Sequence, residues 1–405
     1  MTTQRLYYSD AYTTTFDARC VERTEFNGAP AVVLDRSYFY PTSGGQPHDT
    51  GTLNGIPVVE VAARESDGAV LHALARPLDG DQVRGEIDWG RRFDHMQNHT
   101  GQHILSRAFE VLAEAETVGF HMSADSLTID LDNPALDAAV IERAEALSNQ
   151  VIFEDRPVRA WFPDDAELAT LTLRKTPDVD GRLRVVEIAD FDLNACGGTH
   201  VARTGAVGLI KIVRAERRGD ALRLEFRCGG RALADYREKH ALLSGLAASL
   251  TTGYWEVPAA LDRLREENQA LRRDLRAARS VLMEHEAARL RAEAPHNGAF
   301  ALVTHIPAGG DPQAARELAQ KLIMHPQTIV LCGVPGEKAQ VIAARSDDLP
   351  QDMVPVLRIA LAALGVERGG GRPMFAQGGG AAATPESLAA ALDLAAASLR
   401  ADPAP

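Results

Sequence analysis

Residues 98–103 read Asn98-His99-Thr100-Gly101-Gln102-His103, within a helical pattern that begins at Arg91. Histidines four residues apart on a helix point the same way, so the rings of His99 and His103 can reach one ion. Nearly a hundred residues later, Cys196-Gly197-Gly198-Thr199-His200 offers a second pair at the same separation, on a Gly-Gly turn. Thiolate and imidazole ligands together favour zinc over magnesium or calcium. The sequence therefore predicts a zinc site formed by His99, His103, Cys196 and His200.

Other interpretations of these residues stay open. Two histidines packed in a helix interface, with an unrelated buried cysteine, would give the same pattern. His95 lies four residues before His99 and would share its face, and we interpret it as a neighbour of the ligands. Zinc proteases place a glutamate base directly after the first histidine, where this chain has Thr100, so that class is disfavoured. Four protein ligands make a closed structural site, so these four residues favour a structural zinc unless one of them leaves its position to water or substrate.

Outward from this site, the chain is predicted to have the α+β fold class. Residues 1–90 alternate apolar and polar positions in short runs broken by turn residues, which is typical of a small β-barrel-like domain. Residues 91–231 mix helical spacing with strand alternation, so we expect an α+β domain that holds the zinc site. Residues 295–405 show strand patterns near 300–303, 328–331 and 341–344 between helical stretches, which predicts a small C-terminal α/β domain.

Residues 232–294 are predicted to form a long helical segment. After Pro258, core-type residues follow alternating spacings of three and four, which is a heptad seam: Leu261, Leu264, Asn268, Leu271, Leu275, Ala278 and Leu282. A single polar core residue such as Asn268 often fixes register and partner number. The seam indicates either a coiled-coil homodimer or an antiparallel helical hairpin within one chain.

Composition limits the class of protein. The 405 residues suggest two or three domains, and 45% hydrophobic with 24% charged residues is the balance of a soluble globular protein. We expect a cytoplasmic protein, because neither a membrane-length apolar run nor a signal-peptide pattern is present and the four cysteines are widely spaced. A net charge of −13 argues against indiscriminate coating of nucleic acid. The basic segment 203–231 could still be a local patch for RNA, or only a solvated strand face.

Three motifs in this order resemble a known family. They are the run Phe39 to Gly51, with Ser43-Gly44-Gly45-Gln46 at its centre, the run Asn98 to His103, and the run Cys196 to Val201. They resemble the editing half of alanyl-tRNA synthetase and its free-standing long-type editing proteins. The helical segment and the late glycine clusters are similar to the synthetase's C-terminal domain. Only about 90 residues precede the first metal motif, which by this resemblance is too few for the domain that activates alanine.

The resemblance implies a zinc-dependent deacylase that removes serine, and also glycine, from mischarged tRNA(Ala). It assigns zinc to His99, His103, Cys196 and His200, and a hydroxyl-sensing role to Thr117, with Gln102 or Thr100 as alternatives. The residues themselves predict where tRNA is contacted. Glycine amides can cradle a phosphate or ribose, and basic side chains attract the RNA backbone, so contacts are expected at the loop residues Ser43, Gly44, Gly45 and Gln46, at the basic residues Arg214, Arg217 and Arg218, and at the late glycines Gly370, Gly371 and Gly379.

Structural explanations remain beside these assignments. The Ser43–Gln46 loop can be a tight β-turn, and the late glycines can belong to a mobile loop. His48, Asp49 and His121 are acid or base candidates by residue type alone. An editing domain like that of threonyl-tRNA synthetase and an RNA-binding module with a structural zinc and no turnover are the two alternative functions. A homodimer formed through the helical segment and the C-terminal domain is the expected assembly.

Overall fold

The computed structural model describes residues 3–124, 126–175, 182–308 and 310–401, and it combines helices with several separate sheets. This confirms the predicted mixed α+β class. The chain divides into two compact units, one ending at Ser249 and the next beginning at Leu250. Within these described ranges, no helix has both the length and the apolar character needed to cross a membrane.

The first unit begins with a closed barrel whose strands follow the order β2-β3-β7-β6-β5-β8. A short parallel pair, β1 with β4, lies outside the barrel sheet. Strand β8 alternates strictly between exposed and buried residues, so every second side chain enters the barrel core. The strands are β1 Gln4–Arg5, β2 Thr15–Phe26, β3 Ala29–Leu34, β4 Arg36–Ser37, β5 Gly51–Leu53, β6 Ile56–Ala63, β7 Val70–Leu74 and β8 Gln82–Ile87.

The rest of this unit surrounds a long central helix, α1. Its elements are α1 Trp89–Ala113, β9 Thr117–Met122, β10 Leu127–Leu131, α2 Ala138–Phe153, β11 Val158–Trp161, α3 Asp165–Leu168, β12 Val185–Ile188, β13 Asp192–Ala195, β14 Ile210–Arg218, β15 Ala221–Cys228 and α4 Gly229–Ser249. One antiparallel sheet has the order β14-β15-β10-β9, and a second has the order β11-β12-β13. Buried residues of α1, such as Leu105 and Phe109, pack in one core with Ile129 of β10 and Leu224 of β15. This core holds α1 against the four-stranded sheet.

A buried ion pair joins the barrel to α1. The Arg92 Nη2 atom lies 2.5 Å from Asp49 Oδ2, and both side chains are 0% exposed. Arg92 also donates to the carbonyls of Ala11 and Tyr38, so the buried guanidinium has several acceptors. Removing one partner of such a pair typically costs about 3–5 kcal/mol, because the other charge is left buried. Asp49 therefore fixes the end of the Ser43–Gln46 loop relative to α1.

The second unit contains one sheet of order β16-β17-β18-β19-β21-β20 together with four described helices. Its elements are α5 Val257–Glu293, β16 His296–Asn297, β17 Phe300–His305, α6 Pro312–Leu322, β18 Thr328–Val334, β19 Gln340–Arg345, α7 Met353–Ala363, β20 Gly369–Arg372, β21 Phe375–Gly379 and α8 Pro385–Ala401. Strands β17 and β18 are parallel, and α6 supplies the crossover that a parallel pair needs. The three predicted strand patterns lie within β17, β18 and β19.

Helix α5 carries the heptad leucines on an exposed face. Leu261, Leu264, Leu271, Leu275 and Leu282 are between 40% and 68% exposed. Leucines are usually buried in folded proteins, so a row of five exposed leucines along one helix is unusual for a monomeric globular domain. Whether the stripe meets a second copy of the chain stays a prediction.

Candidate metal centre

Helix α1 supplies the first pair of the metal cluster. It begins after Asp88, whose side chain accepts a hydrogen bond from the Arg91 amide and so caps the first turn. His99 and His103 are each 3% exposed and lie one turn apart on the same face. Their rings stand with centroids 5.3 Å apart. The helical spacing therefore brings both imidazoles to one side of α1, as predicted from the sequence.

The second pair lies on the turn that follows β13. The Arg184 guanidinium donates to the carbonyls of Cys196 and Gly198, at 2.9 and 2.8 Å, and thereby holds the turn in place. A Cβ atom on Gly198 would lie 2.2 Å from the ring of His99. Because no side chain fits there, glycine at this position allows the turn to approach α1 closely enough to place His200 beside it.

The four predicted ligands meet at one point. One ligand atom from each of His99, His103, Cys196 and His200 can be chosen so that all lie within 4.8 Å of one another. The Cys196 Sγ atom is 3.4 Å from His99 Nε2 and 3.3 Å from His200 Nε2. A thiol and three imidazoles that converge in this way could hold a metal ion. His95 is not part of this group.

Gln46 of the barrel loop hydrogen-bonds to Nδ1 of His99, the ring nitrogen that does not contact Cys196. Its Oε1 atom lies 2.8 Å from His99 Nδ1 and also accepts from the Thr199 amide at 3.1 Å. Its Nε2 atom donates to the Thr199 hydroxyl at 2.9 Å. Because the amide oxygen is an acceptor, His99 Nδ1 carries the proton, and Nε2 is left with its lone pair towards Cys196. The barrel loop thus touches both halves of the metal cluster.

The other two histidines have comparable partners. Thr100 Oγ1 lies 3.1 Å from His200 Nδ1 and accepts from the Val201 amide at 3.2 Å. Asp192 Oδ2 lies 3.2 Å from His103 Nδ1. Each Nδ1 atom is therefore occupied outside the cluster, and each Nε2 atom is available inside it. Partners of this kind orient metal-binding histidines in known metalloproteins.

The ionisation of the cluster suits a metal ion. Burial opposes charge on the Cys196 thiol, but the neighbouring His99, His200 and His103 lower its pKa well below the usual value. Burial lowers the pKa of His200 to about 3, so this ring is neutral at pH 7. Burial also disfavours charge on His103, yet Cys196 and Asp192 together raise its pKa to about 9, so without a metal this ring is protonated at pH 7 and metal binding must release the proton on Nε2. A thiolate among imidazoles is the donor set that soft divalent metals bind.

The glycine-rich loop forms one wall of the site. Ser43 and Gln46 exchange two backbone hydrogen bonds, of 3.1 and 2.9 Å, which makes the loop a tight turn. Gly45 has a φ of +83°, and a Cβ atom there would lie 2.8 Å from Phe120 of β9. The Phe120 ring in turn lies 5.4 Å from the His99 ring. The structure thus supports the tight-turn interpretation and also brings this turn to the metal cluster.

A chain of hydrogen-bonded polar side chains runs from α1 to Thr117 of β9. Ser106 is 1% exposed and accepts from Gln102 Nε2 at 2.8 Å and from the Thr117 hydroxyl at 2.6 Å. Two of the three predicted hydroxyl-sensing residues, Gln102 and Thr117, are therefore connected through Ser106. The third, Thr100, bonds to His200 and Val201 instead.

The remaining acid and base candidates lie outside the cluster. Asp49 is occupied by Arg92. His48 Nδ1 lies 3.1 Å from Thr42 Oγ1, and His121 is exposed on β9. His95 is 2% exposed, and burial lowers its pKa to about 4. Its Nδ1 atom has no hydrogen-bond partner among the described residues.

The predicted tRNA-contact residues lie in three places, which are the Ser43–Gln46 loop described above, the end of β14, and the strand pair β20 and β21. Arg214, Arg217 and Arg218 are exposed at the end of β14, and Arg214 pairs with Glu216 at 3.1 Å. Gly370 lies on β20 with open space where a side chain would stand.

Two of the late glycines have packing reasons of their own. A Cβ atom would lie 2.4 Å from the Phe375 carbonyl oxygen at Gly371, and 2.0 Å from the Ala339 carbonyl oxygen at Gly379. These two glycines are therefore needed by the sheet, whether or not they contact RNA.

Among the residues of this site that sequence reasoning missed are Ser106, Phe120, Asp192 and Arg174, which donates to Asp192 Oδ1 at 2.8 Å. A signal for Asp192 existed, because metal-binding histidines commonly donate to a carboxylate. Its position four residues before Cys196 made it a candidate. The other three act through contacts between distant elements, and no local pattern marks them.

Comparisons with known proteins agree with these motifs. The family model described as "Threonyl and Alanyl tRNA synthetase second additional domain" matches residues 183–224, which include the turn from Cys196 to His200. The chain is 32% identical over 387 residues to the alanyl-tRNA editing protein AlaX-L of Pyrococcus horikoshii, covering 93% of this chain and 94% of that protein. It is also 32% identical over 313 residues to the alanyl-tRNA editing protein Aarsd1 of Rattus norvegicus, covering 74% of this chain and 76% of that protein.

A synthetase is matched along only part of its length. The chain is 32% identical over 361 residues to an alanine–tRNA ligase of Pyrococcus furiosus, covering 86% of this chain but 39% of the ligase. The match to AlaX-L, in contrast, extends along almost the whole of both proteins. Together with the metal cluster and the loop that supports it, this similarity identifies the chain as a member of the alanyl-tRNA editing protein family.

Proposed function

We propose that this protein is a zinc-dependent deacylase that edits mischarged tRNA(Ala) in trans, with serine as the chief amino acid removed and glycine as a second. One observation carries the proposal: His99 and His200 direct Nε2 towards Cys196, and His103 joins them in one cluster beside the loop from Ser43 to Gln46, in a chain whose relatives are named as alanyl-tRNA editing proteins.

Zinc is the metal that fits the donor set. Zinc binds imidazole nitrogen at about 2.0–2.1 Å and thiolate sulfur at about 2.3 Å, so neighbouring ligand atoms of a tetrahedral site lie roughly 3.3–3.8 Å apart. The Cys196 Sγ atom is 3.4 and 3.3 Å from two of the histidine nitrogens. Hard cations such as magnesium prefer oxygen ligands, of which this cluster has none. Bound zinc would supply Lewis-acid chemistry towards a carbonyl oxygen or a water molecule.

The reaction is hydrolysis of the ester between an amino acid and the terminal ribose of tRNA. Water adds to the ester carbonyl, the bond to the ribose oxygen breaks, and the products are the free amino acid and a ribose hydroxyl. The ester is already reactive, so positioning and electrostatic stabilisation suffice without a covalent enzyme intermediate. The residues of this chain contribute to that positioning, because Gln46, Thr100 and Asp192 hold the three imidazoles.

Selectivity for serine requires a group that recognises its hydroxyl. A pocket that accepts serine cannot exclude the smaller alanine by size, but a site built to bond the hydroxyl rejects an analogue that lacks it. Thr117 and Gln102 are the residues we assign to this task, because Ser106 holds both of them on the β9 side of α1. Thr100 stays an alternative, although its oxygen already bonds to His200 and Val201.

Binding of the tRNA is proposed to involve the turn of Ser43, Gly44, Gly45 and Gln46 near the amino-acid end. Arg214, Arg217 and Arg218 are exposed and basic, and Gly370 leaves open space beside an edge strand. Gly371 and Gly379 are proposed to contact tRNA through their backbone atoms only. We also propose a cytoplasmic location, where charged tRNA is used.

A homodimer is proposed from the exposed leucine stripe of α5, with the C-terminal segment 295–405 contributing. The five leucines, at 40% to 68% exposure, would be covered by a second copy of the same helix. Light scattering tests this directly, since one copy has a mass of 43.6 kDa. A species of twice that mass is expected, and a particle of single mass at micromolar concentration would end the dimer proposal.

The experiment that tests the function is amino-acid release from tRNA(Ala) charged separately with serine, glycine and alanine. The protein is assayed as purified, after zinc removal by a strong chelator, and after zinc is restored. Rapid serine release with alanine spared, lost on chelation and regained with zinc, is the expected result. Binding of tRNA without release of any amino acid would favour the module with a structural metal. Equal release of serine from tRNA(Thr) and tRNA(Ala) would favour an editing domain of the threonyl type.

A further inference from the structure

The three histidines of the metal centre differ in the charge of their supporting groups. His99 is supported by the amide of Gln46 and His200 by the hydroxyl of Thr100, and both groups are neutral. Only His103 is supported by a carboxylate, that of Asp192. Hydrogen bonds to an ionised acceptor are roughly twice as strong as bonds between neutral groups. His103 is therefore the one ring of the three that is oriented by a charged acceptor.

Asp192 is itself held in a fixed orientation. Its Oδ1 atom accepts from Arg174 Nε at 2.8 Å, while Oδ2 faces His103. The Asp192 side chain is 1% exposed and the Arg174 side chain 11% exposed, so water has little access to this contact. The Arg174 amide donates to the Leu193 carbonyl at 2.8 Å, which ties the backbone of the arginine to β13.

Arg174 also contacts helix α1, the helix that carries His103. Arg174 Nε lies 3.9 Å from Glu110 Oε2, and Glu110 stands two turns beyond His103 on α1. Glu110 is paired in addition with Arg107 at 2.9 Å. A closed ring of contacts thus runs from His103 to Asp192, to Arg174 and back to α1.

We propose that Asp192 and Arg174 act together as a positioning pair that keeps the proton of His103 on Nδ1 and its Nε2 atom free for the metal, and so set the metal affinity of the site. This inference rests on the metal of the proposed function, but concerns affinity rather than turnover. Neither residue contacts the cluster's ligand atoms, so both act through His103.

If Asp192 and Arg174 act as this pair, the substitution Asp192→Asn should change which nitrogen of His103 carries the proton. Both oxygens of Asp192 accept a hydrogen bond, one from Arg174 and one from His103. An asparagine has a single acceptor oxygen. Arg174 can only donate, so it claims that oxygen and turns the amide NH2 towards His103. The Nδ1 atom must then accept, and its proton moves to Nε2, where it blocks the metal.

It follows that removal of Arg174 should rescue the Asp192→Asn variant. With Arg174→Met in the same chain, the amide is free to rotate and give its oxygen to His103, and no uncompensated charge is buried. Loss of a supporting partner typically lowers metal affinity 10–100-fold, so we expect a loss on the order of 10–100-fold for Asp192→Asn alone and recovery of most of it in the double variant.

The test is a zinc titration of the full chain against a chromophoric chelator, which measures the dissociation constant without substrate. Asp190→Asn is the matched control, because it makes the same chemical change at an exposed position two residues away. Thermal unfolding of each metal-free protein verifies that the variants fold. Wild-type zinc affinity for Asp192→Asn, or a double variant weaker than Asp192→Asn, would overturn the proposal.

A second measurement needs no variant. A long-range ¹H–¹⁵N spectrum of the zinc-loaded wild-type protein reports which nitrogen of each histidine carries the proton. The proposal expects the His103 proton on Nδ1, and a proton on Nε2 would contradict it. Failure of the wild-type protein to bind zinc at all would instead count against the proposed function, so the two failures are distinguishable.

Discussion

Gln46 of the barrel and His99 of helix α1 are joined by a hydrogen bond of 2.8 Å between Oε1 and Nδ1. The two residues are 53 positions apart in sequence, and Gln46 is completely buried. The same amide also holds Thr199, next to His200. The barrel is therefore part of the candidate metal centre, because it supplies the group that orients one of the four candidate ligands.

Replacement of Gln46 by alanine should weaken zinc binding. The His99 ring would lose the acceptor for its Nδ1 proton, and the turn at Thr199 would lose two hydrogen bonds. We expect a zinc dissociation constant on the order of 10–100-fold higher, measured by chelator competition. Gln82→Ala, at an exposed position of the same barrel, is the control and should leave the constant unchanged. Unaltered zinc affinity in Gln46→Ala would show that the hydrogen bond does not support the ligand.

The two glycines of the barrel loop should respond differently to alanine. Both have positive φ, +54° at Gly44 and +83° at Gly45, so each substitution strains the backbone by roughly 1–2 kcal/mol. Only at Gly45 would the new Cβ atom also meet Phe120, at 2.8 Å, whereas Gly44 faces open space. We expect Gly45→Ala to reduce serine release from tRNA several-fold more than Gly44→Ala. Equal rates for the two variants would mean that the approach to Phe120 has no role.

Thr117→Val should slow the removal of serine and leave zinc binding intact. The hydroxyl of Thr117 is held by Ser106 and does not contact the metal ligands in the described structure. One hydrogen bond to the substrate is worth about 1 kcal/mol, which predicts roughly a fivefold lower rate. Thr100→Val is the comparison, and its main effect is expected on zinc affinity through His200. Serine release at the original rate in Thr117→Val would remove Thr117 from the site.

The barrel should lose stability in acid because of His72. Its Nδ1 donates to the Val32 carbonyl at 3.2 Å, its Nε2 lies 2.7 Å from the Ser37 hydroxyl, and burial lowers its pKa to about 4. A histidine whose folded pKa is below the unfolded value of about 6.5 binds more protons when unfolded, so stability rises with pH between these values. The contribution is complete above about pH 6.5 and is lost as pH falls towards 4.

Urea unfolding at several pH values measures this effect. The free energy of unfolding of the wild type should fall by up to about 1.4 kcal/mol per pH unit more steeply than that of His72→Gln between pH 6 and 4.5. The difference between the two proteins isolates His72, because the metal ligands are the same in both. Parallel pH profiles would contradict the assignment.

Local patterns predicted much of this molecule. The mixed α+β class followed from strand and helix periodicities, and His99 and His103 share a helix face because four residues make about one turn. Cys196 and His200 are predicted as ligands because they repeat the same four-residue separation, on a turn with two glycines between them. These residues need only their own neighbours in sequence to be recognised.

Contacts between distant elements could not be predicted in the same way. The sequence predicts that Gln46 is a loop residue that contacts tRNA, but it gives no sign of the hydrogen bond between Gln46 and His99. The support of His103 by Asp192 and Arg174 depends on how β13 packs beside α1, which no periodicity encodes. The glycines at 371 and 379 have a packing role that becomes visible only when the neighbouring strand is in place.

We propose above that the cluster of Cys196 and three histidines carries the editing of tRNA(Ala). The most direct measurement is the initial rate of amino-acid release from Ser-tRNA(Ala) and Ala-tRNA(Ala), for the zinc-loaded wild type, for Cys196→Ala, and for Cys332→Ala as a control at a buried cysteine outside the cluster. We predict fast release of serine with alanine spared in the wild type and in Cys332→Ala, and no release above the uncatalysed rate in Cys196→Ala. Serine release that is unchanged in Cys196→Ala, or absent from the zinc-loaded wild type, would contradict the account.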